Sequence, residues 1–144
     1  LRPDSLLGAM KKVFIDGASR GNPGPASVGI VFQDPTGNAV KSIAKTIGNA
    51  TNNTAEYMAL ILALQEALMA GWKELEVFTD SELVAKQFSG EYKIKEPSIK
   101  LLFFLVSHLR QGFKKLSVTH VPREQNKLAD EQANKALDQG EFFL

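Results

Sequence analysis

Apolar residues along this chain follow two spacings. Short β-branched and apolar runs bounded by Gly, Pro, Asn and Asp predict strands at Lys12 to Asp16, Val28 to Gln33, Val40 to Ile47, Leu75 to Thr79 and Leu116 to Val121. Longer stretches with apolar residues every three or four positions predict helices over Thr54 to about Ala70, Ser81 to Phe88, Ser98 to Arg110 and Asn126 to about Leu137. Asp34-Pro35-Thr36-Gly37-Asn38 has hairpin length and joins the second and third strands, while Gly48 to Asn53 reads as a polar connection. The order is three strands, helix, strand, two helices, strand, helix. It describes an α/β domain that opens as an antiparallel meander, with later strands joining the first in parallel because helix-bearing crossovers return the chain in the same direction. The helix from Thr54 is apolar almost all round, with Gln65 and Glu66 as its main polar pair, so it should press centrally on the sheet. The run Leu101 to Val106 makes its helix too apolar for one wet face; it is buried on several sides or meets a partner.

Composition narrows the classes. With 144 residues, 44% hydrophobic and 23% charged, the chain is one domain, taken as residues 11–144, with residues 1–10 read as a linker or expression remnant. A formal charge of +1 is not that of a strongly basic nucleic-acid binder, so any polyanion must be held by a local patch. No cysteine is present, which excludes disulfides and thiolate metal sites and fits a cytoplasmic protein. No apolar run approaches the ~20 residues that span a bilayer, so no membrane association is expected, and no obligate protein partner is evident.

The candidate chemistry lies in four acids. Asp16 and Asp80 both end predicted strands, and the carboxyl ends of parallel strands are where such sheets bind ligands. Glu56 enters from the first turn of the central helix and Asp130 from the last helix. Singly, each has a plainer reading: Asp16 as a turn residue, Asp80 as a helix cap, Glu56 as a first-turn acid reaching solvent. Together, four hard oxygen ligands without His or Cys point to magnesium or manganese, and two such ions ~4 Å apart suit in-line phosphoryl displacement by water.

The ordered segments Ile-Asp-Gly-Ala-Ser-Arg-Gly-Asn-Pro-Gly-Pro-Ala, Thr-Asn-Asn-Thr-Ala-Glu, Phe-Thr-Asp-Ser-Glu-Leu and Val-Pro-Arg-Glu-Gln-Asn-Lys-Leu-Ala-Asp resemble type 1 ribonuclease H from about Lys12 to Leu137. The resemblance implies a ribonuclease H-like fold with a five-stranded mixed sheet. It implies a metal-dependent endonuclease that hydrolyses the RNA strand of an RNA/DNA hybrid, leaving 5′-phosphate and 3′-hydroxyl ends. Asp16, Glu56, Asp80 and Asp130 would hold two Mg²⁺ ions, with Mn²⁺ as a substitute. Gly17, Ala18, Ser19, Asn22, Asn52 and Asn53 would contact the hybrid's minor groove and RNA 2′-hydroxyls, and Thr51 a DNA-strand phosphate.

Two departures qualify the likeness. Only Glu91 to Lys100 fills the space where many family members carry a long basic excursion, which assigns the chain to a subgroup lacking that protrusion and implies weaker hybrid affinity. Where other members have a mobile His near the last acid, this chain has Arg123, assigned to phosphate contact or product release; His120 lies on the preceding strand. An idle binding module of the same fold would be expected to lose one of the four acids, and none is lost. Related transposase, integrase and junction-resolving nucleases would lack the Gly-Asn-Pro-Gly and Thr-Asn-Asn segments, and a dinucleotide-binding loop fails on spacing.

Overall fold

A computed structural model describes residues 10–143, with side chains to 140; the linker expected at the amino end lies almost wholly outside the described residues. Strands β1 (Lys11–Ser19), β2 (Gly24–Gln33), β3 (Ala39–Ala50), β4 (Glu74–Thr79) and β5 (Lys115–His120) form one sheet in the order β3-β2-β1-β4-β5. The β1–β2 and β2–β3 pairs are antiparallel, and β1–β4 and β4–β5 are parallel, so the expected mixed sheet is found. Helices α1 (Asn52–Met69), α2 (Glu82–Phe88), α3 (Pro97–Arg110) and α4 (Lys127–Phe143) complete the domain. None of the described helices is long and apolar enough to cross a membrane.

Alternation along the strands sorts their residues onto two faces. Val13, Ile15, Val28, Ile30 and Phe32 turn to one side and pack, fully buried, against Tyr57, Leu60 and Leu64 of α1, with Ile99 and Val106 of α3 behind. The other face is covered by the small residues Ala129, Ala133 and Ala136 of α4. Two glycines set how closely these helices approach. A Cβ on Gly17 would lie 2.2 Å from the Ala55 carbonyl carbon, and one on Gly29 would lie 2.1 Å from the Ala129 carbonyl oxygen. Larger residues there would push α1 or α4 off the sheet.

The element boundaries differ from expectation where backbone pairing outruns the apolar pattern. β1 does not stop at Asp16. Its ladder with β2 continues to Ser19 opposite Ala26, while its parallel ladder with β4 ends at Ile15 opposite Thr79, so Asp16 is paired on one side only. The supposed connection from Gly48 is largely strand, because Gly24 to Ala26 pair with Gly48 to Ala50 through a ladder that needs no apolar side chains. The last helix runs to Phe143 rather than ending at its last apolar stripe residue, and it accommodates Gly140 within it. Helix α3 buries only Ile99 and Val106 and leaves Leu101 and Phe104 about 70% exposed, so burial on several sides is not what its sequence produces.

Candidate active site

Register and capping bring the acids together. Ile15 and Thr79 are paired neighbours, so Asp16 and Asp80, each one residue further on, leave the parallel ladder side by side. The chain just beyond Asp80 is fixed by the Ser81 N–H donating to the fully buried Thr79 hydroxyl oxygen at 3.0 Å. Ser81, not Asp80, caps α2, accepting from the Val84 N–H at 3.2 Å, which leaves the Asp80 carboxylate uncommitted to a cap.

Glu56 arrives differently. Helix α1 starts at Asn52, capped by Thr51, so Glu56 sits in its second turn rather than its first, and it is 6% exposed. Escape to solvent is thereby closed off. The Gly17 N–H donates to Glu56 Oε1 at 2.8 Å, tying the carboxylate to the residue after Asp16. From the other face, fully buried Asn126 donates from Nδ2 to the Ile15 carbonyl at 2.8 Å, and its backbone carbonyl accepts from the Asp130 N–H at 3.1 Å. The first bond ties the start of α4 to β1 next to Asp16, and the second is the helix bond that sets Asp130 one turn further on.

Carboxylate oxygens of Asp16, Glu56 and Asp80 lie within 4.8 Å of one another, and Asp130 shares a side-chain hydrogen bond with Asp16. Like charges ~4 Å apart repel by about 4 kcal/mol at an effective dielectric near 20. Burial, then the charges of Glu56, Asp80 and Asp130, push the Asp16 carboxyl up to about 9. Burial chiefly raises Glu56 to about 8, against the Gly17 hydrogen bond and the Arg123 charge, which favour its ionised form. At neutral pH this cluster therefore retains protons unless a cation replaces them. All the donors are hard oxygens, so the set fits Mg²⁺ or Mn²⁺ and not a soft metal.

The four acids open into a cavity of about 440 Å³ that Gly17, Ala18, Ser19, Asn52 and Arg123 also line. Other expected contacts lie outside it. Asn22 accepts from the Asn52 N–H at 3.0 Å, bracing the β1–β2 turn against α1, and Thr51 is spent on capping. Asn53 lines a separate recess of about 180 Å³ with Gln87, Lys93 and Lys95. His120 is exposed on β5 and does not line the main cavity. Sequence reasoning missed Arg20, Ser81, Asn134 and Leu137 in the cavity wall, and Asn126 beneath it. Asn134 carried a signal, standing one turn after Asp130, whose carbonyl it meets at 3.1 Å.

Comparisons with known proteins agree with this geometry. A family model described as reverse transcriptase-like matches residues 14–136. The chain is 45% identical over 138 residues to a ribonuclease HI of Halobacterium salinarum, spanning 96% of this chain and 68% of that relative. It is 43% identical over 124 residues to a bifunctional protein of Mycobacterium tuberculosis, of which it spans only 34%. Among solved structures, ribonuclease H1 of Halobacterium salinarum superposes with a TM-score of 0.88 at 45% identity, covering 91% of this chain and 99% of that one. LC11-RNase H1, solved in complex with an RNA/DNA hybrid, gives 0.86 at 43% identity, covering 90% and 98%.

Proposed function

The chain belongs to the ribonuclease HI family of hydrolytic nucleases, and from that premise we propose that it cleaves the RNA strand of RNA/DNA hybrids with two divalent ions, leaving 5′-phosphate and 3′-hydroxyl ends. The observation that carries the proposal is the convergence of Asp16, Glu56 and Asp80 within 4.8 Å, with Asp130 bonded to Asp16. An idle module would have no use for four mutually repelling carboxyls at one edge, two of them, Asp16 and Glu56, buried.

In this reading the four acids would hold the ions, Mg²⁺ or in its place Mn²⁺, with Asp16, central to the cluster, as a shared ligand. Bound ions would supply the activated water and the stabilisation of the leaving 3′ oxygen. The protein's own work is placement. Gly17 fixes Glu56, Asn126 fixes the β1–α4 junction, and Arg123, whose charge acts on Glu56, meets substrate phosphate or assists product release. Gly17 to Ser19 and Asn52 line the cavity where RNA 2′-hydroxyls would be read, with Asn22 bracing Asn52. Asn53 is assigned to the hybrid's minor groove and Thr51 to a DNA-strand phosphate, while Lys93 and Lys95, which share the smaller recess with Asn53, supply further phosphate contact. We place the chain among members without a long basic excursion, because only Ser89 to Glu96 link α2 to α3.

The test is a labelled RNA/DNA hybrid incubated with protein and Mg²⁺, beside duplex DNA, duplex RNA and Asp16→Asn protein. Cleavage of the hybrid's RNA strand alone, abolished by the substitution, is the expected result. Equal cutting of duplex DNA would reject the assigned specificity.

A further inference from the structure

Two cationic side chains line the acidic cavity, Arg20 and Arg123, and the second is already accounted for. Arg20 lies on the turn between β1 and β2. Its backbone is rigidly set: its N–H donates to the Pro25 carbonyl at 2.8 Å, and a Cβ on Gly24 would lie 2.4 Å from the Arg20 carbonyl oxygen, so the turn closes tightly on it. Its side chain is about one-third exposed and bonds Asp138 Oδ1 at 2.5 Å. Asp138 itself is 67% exposed and stands on α4 in the row Asp130, Asn134, Asp138, spaced four residues apart and therefore on one helix face.

The sheet order separates the two arginines. β2 lies on one side of β1 and β5 beyond β4, so Arg20 and Arg123 occupy opposite flanks of the carboxylates that β1 and β4 deliver. A nucleic-acid strand crossing the carboxyl edge of the sheet, with its cleaved phosphodiester at the acids, would carry a neighbouring phosphate toward each flank. A solvent-exposed Arg–Asp pair contributes little to stability, so exchanging Asp138 for a phosphate sacrifices little. Guanidinium groups suit that exchange, because their planar fork matches carboxylate and phosphate oxygens alike.

Resting on the hybrid-nuclease reading, we propose that Arg20 is a phosphate-binding residue for the RNA strand on the flank opposite Arg123, and that Asp138 competes with the substrate for it. Asp138 then acts as a brake on binding. A structural ion pair and a competing one make opposite predictions. If the pair only supports the fold, removing either partner harms in the same direction. If it competes, the two removals differ in sign.

The experiment measures KM and kcat for hybrid cleavage, and the salt dependence of KM, in the unsubstituted protein, Arg20→Ala, Arg20→Lys, Asp138→Asn and the Arg20→Ala/Asp138→Asn double variant. Arg20→Ala should raise KM by roughly 3- to 10-fold, more than it lowers kcat, and flatten the log–log salt slope by about 1, with Arg20→Lys recovering most of the slope. Asp138→Asn should lower KM by about 2- to 5-fold, and that gain should vanish when Arg20 is already Ala. Cleavage by the unsubstituted protein with Asp138→Asn raising KM or leaving it unchanged, or with the gain persisting without Arg20, would overturn the inference alone. Failure of the unsubstituted protein to cut the hybrid would overturn the functional reading and this inference with it.

Discussion

Ile15 and Asp16 are adjacent on one strand and live under opposite rules. Ile15 is fully buried in an apolar cluster with Leu60, Leu64 and Val28, where every contact favours the folded state. Asp16 is nearly as buried, at 5% exposed, yet faces Glu56, Asp80 and Asp130 and is held there against repulsion and desolvation. The α1 side of the sheet supplies the stability that the carboxyl edge spends. Such a division predicts that substitutions on the two sides separate activity from stability.

The largest effect should come from Asp16→Asn. It should lower hybrid cleavage by about 10³-fold or more, the scale of several kcal/mol of transition-state stabilisation, as read from initial rates in Mg²⁺. Next, Leu64→Ala should destabilise the fold by about 2–5 kcal/mol in denaturant titration while the surviving folded fraction keeps its kcat. A loss of kcat in that fraction would blur the division. Gly17→Ala lies on the boundary between the regions. Its methyl would strike the Ala55 and Glu56 backbone, so it should cost roughly 1–3 kcal/mol of stability and lower activity as well, because Glu56 moves with α1.

The smallest predicted effect is a pH slope. Asp16 and Glu56 are raised to about 9 and 8 from ordinary values of 3.8 and 4.5, so between those limits the native state holds protons that the unfolded chain has released. The stability contributed by those two groups is fully present below about pH 4 and is lost as pH rises through 8 to 9. Denaturation of metal-free protein at pH 5 and pH 8.5 should show this loss, and Asp16→Asn should be the more stable protein at pH 8.5 by about 1–3 kcal/mol.

Much of this was legible in the sequence, for identifiable reasons. The apolar runs through Val13, Ile30 and Val77 and the periodicity through Leu60 and Leu64 report burial, and burial is what hydrophobic patterning encodes. The four acids stood out because the motifs around them are specific, and because Asp80 directly follows a strand, β4. Boundaries were harder. Ser19 and Ala50 extend their strands through backbone bonds that leave no mark in side-chain polarity, and Gln139 and Gly140 continue α4 beyond its apolar stripe. Asn126 and Arg20 were missed because their roles depend on partners 111 and 118 residues away, a separation no local pattern carries.

The central claim is that the carboxyl edge is kept under electrostatic strain that a divalent cation relieves. Its most direct test is the unfolding temperature at pH 8 as a function of Mn²⁺ concentration, for the unsubstituted protein and for Asp16→Asn. The unfolding temperature should rise with Mn²⁺ for the former and scarcely change for the latter, because binding to the folded state alone stabilises it by mass action. Equal shifts in the two proteins, or none in either, would contradict that claim.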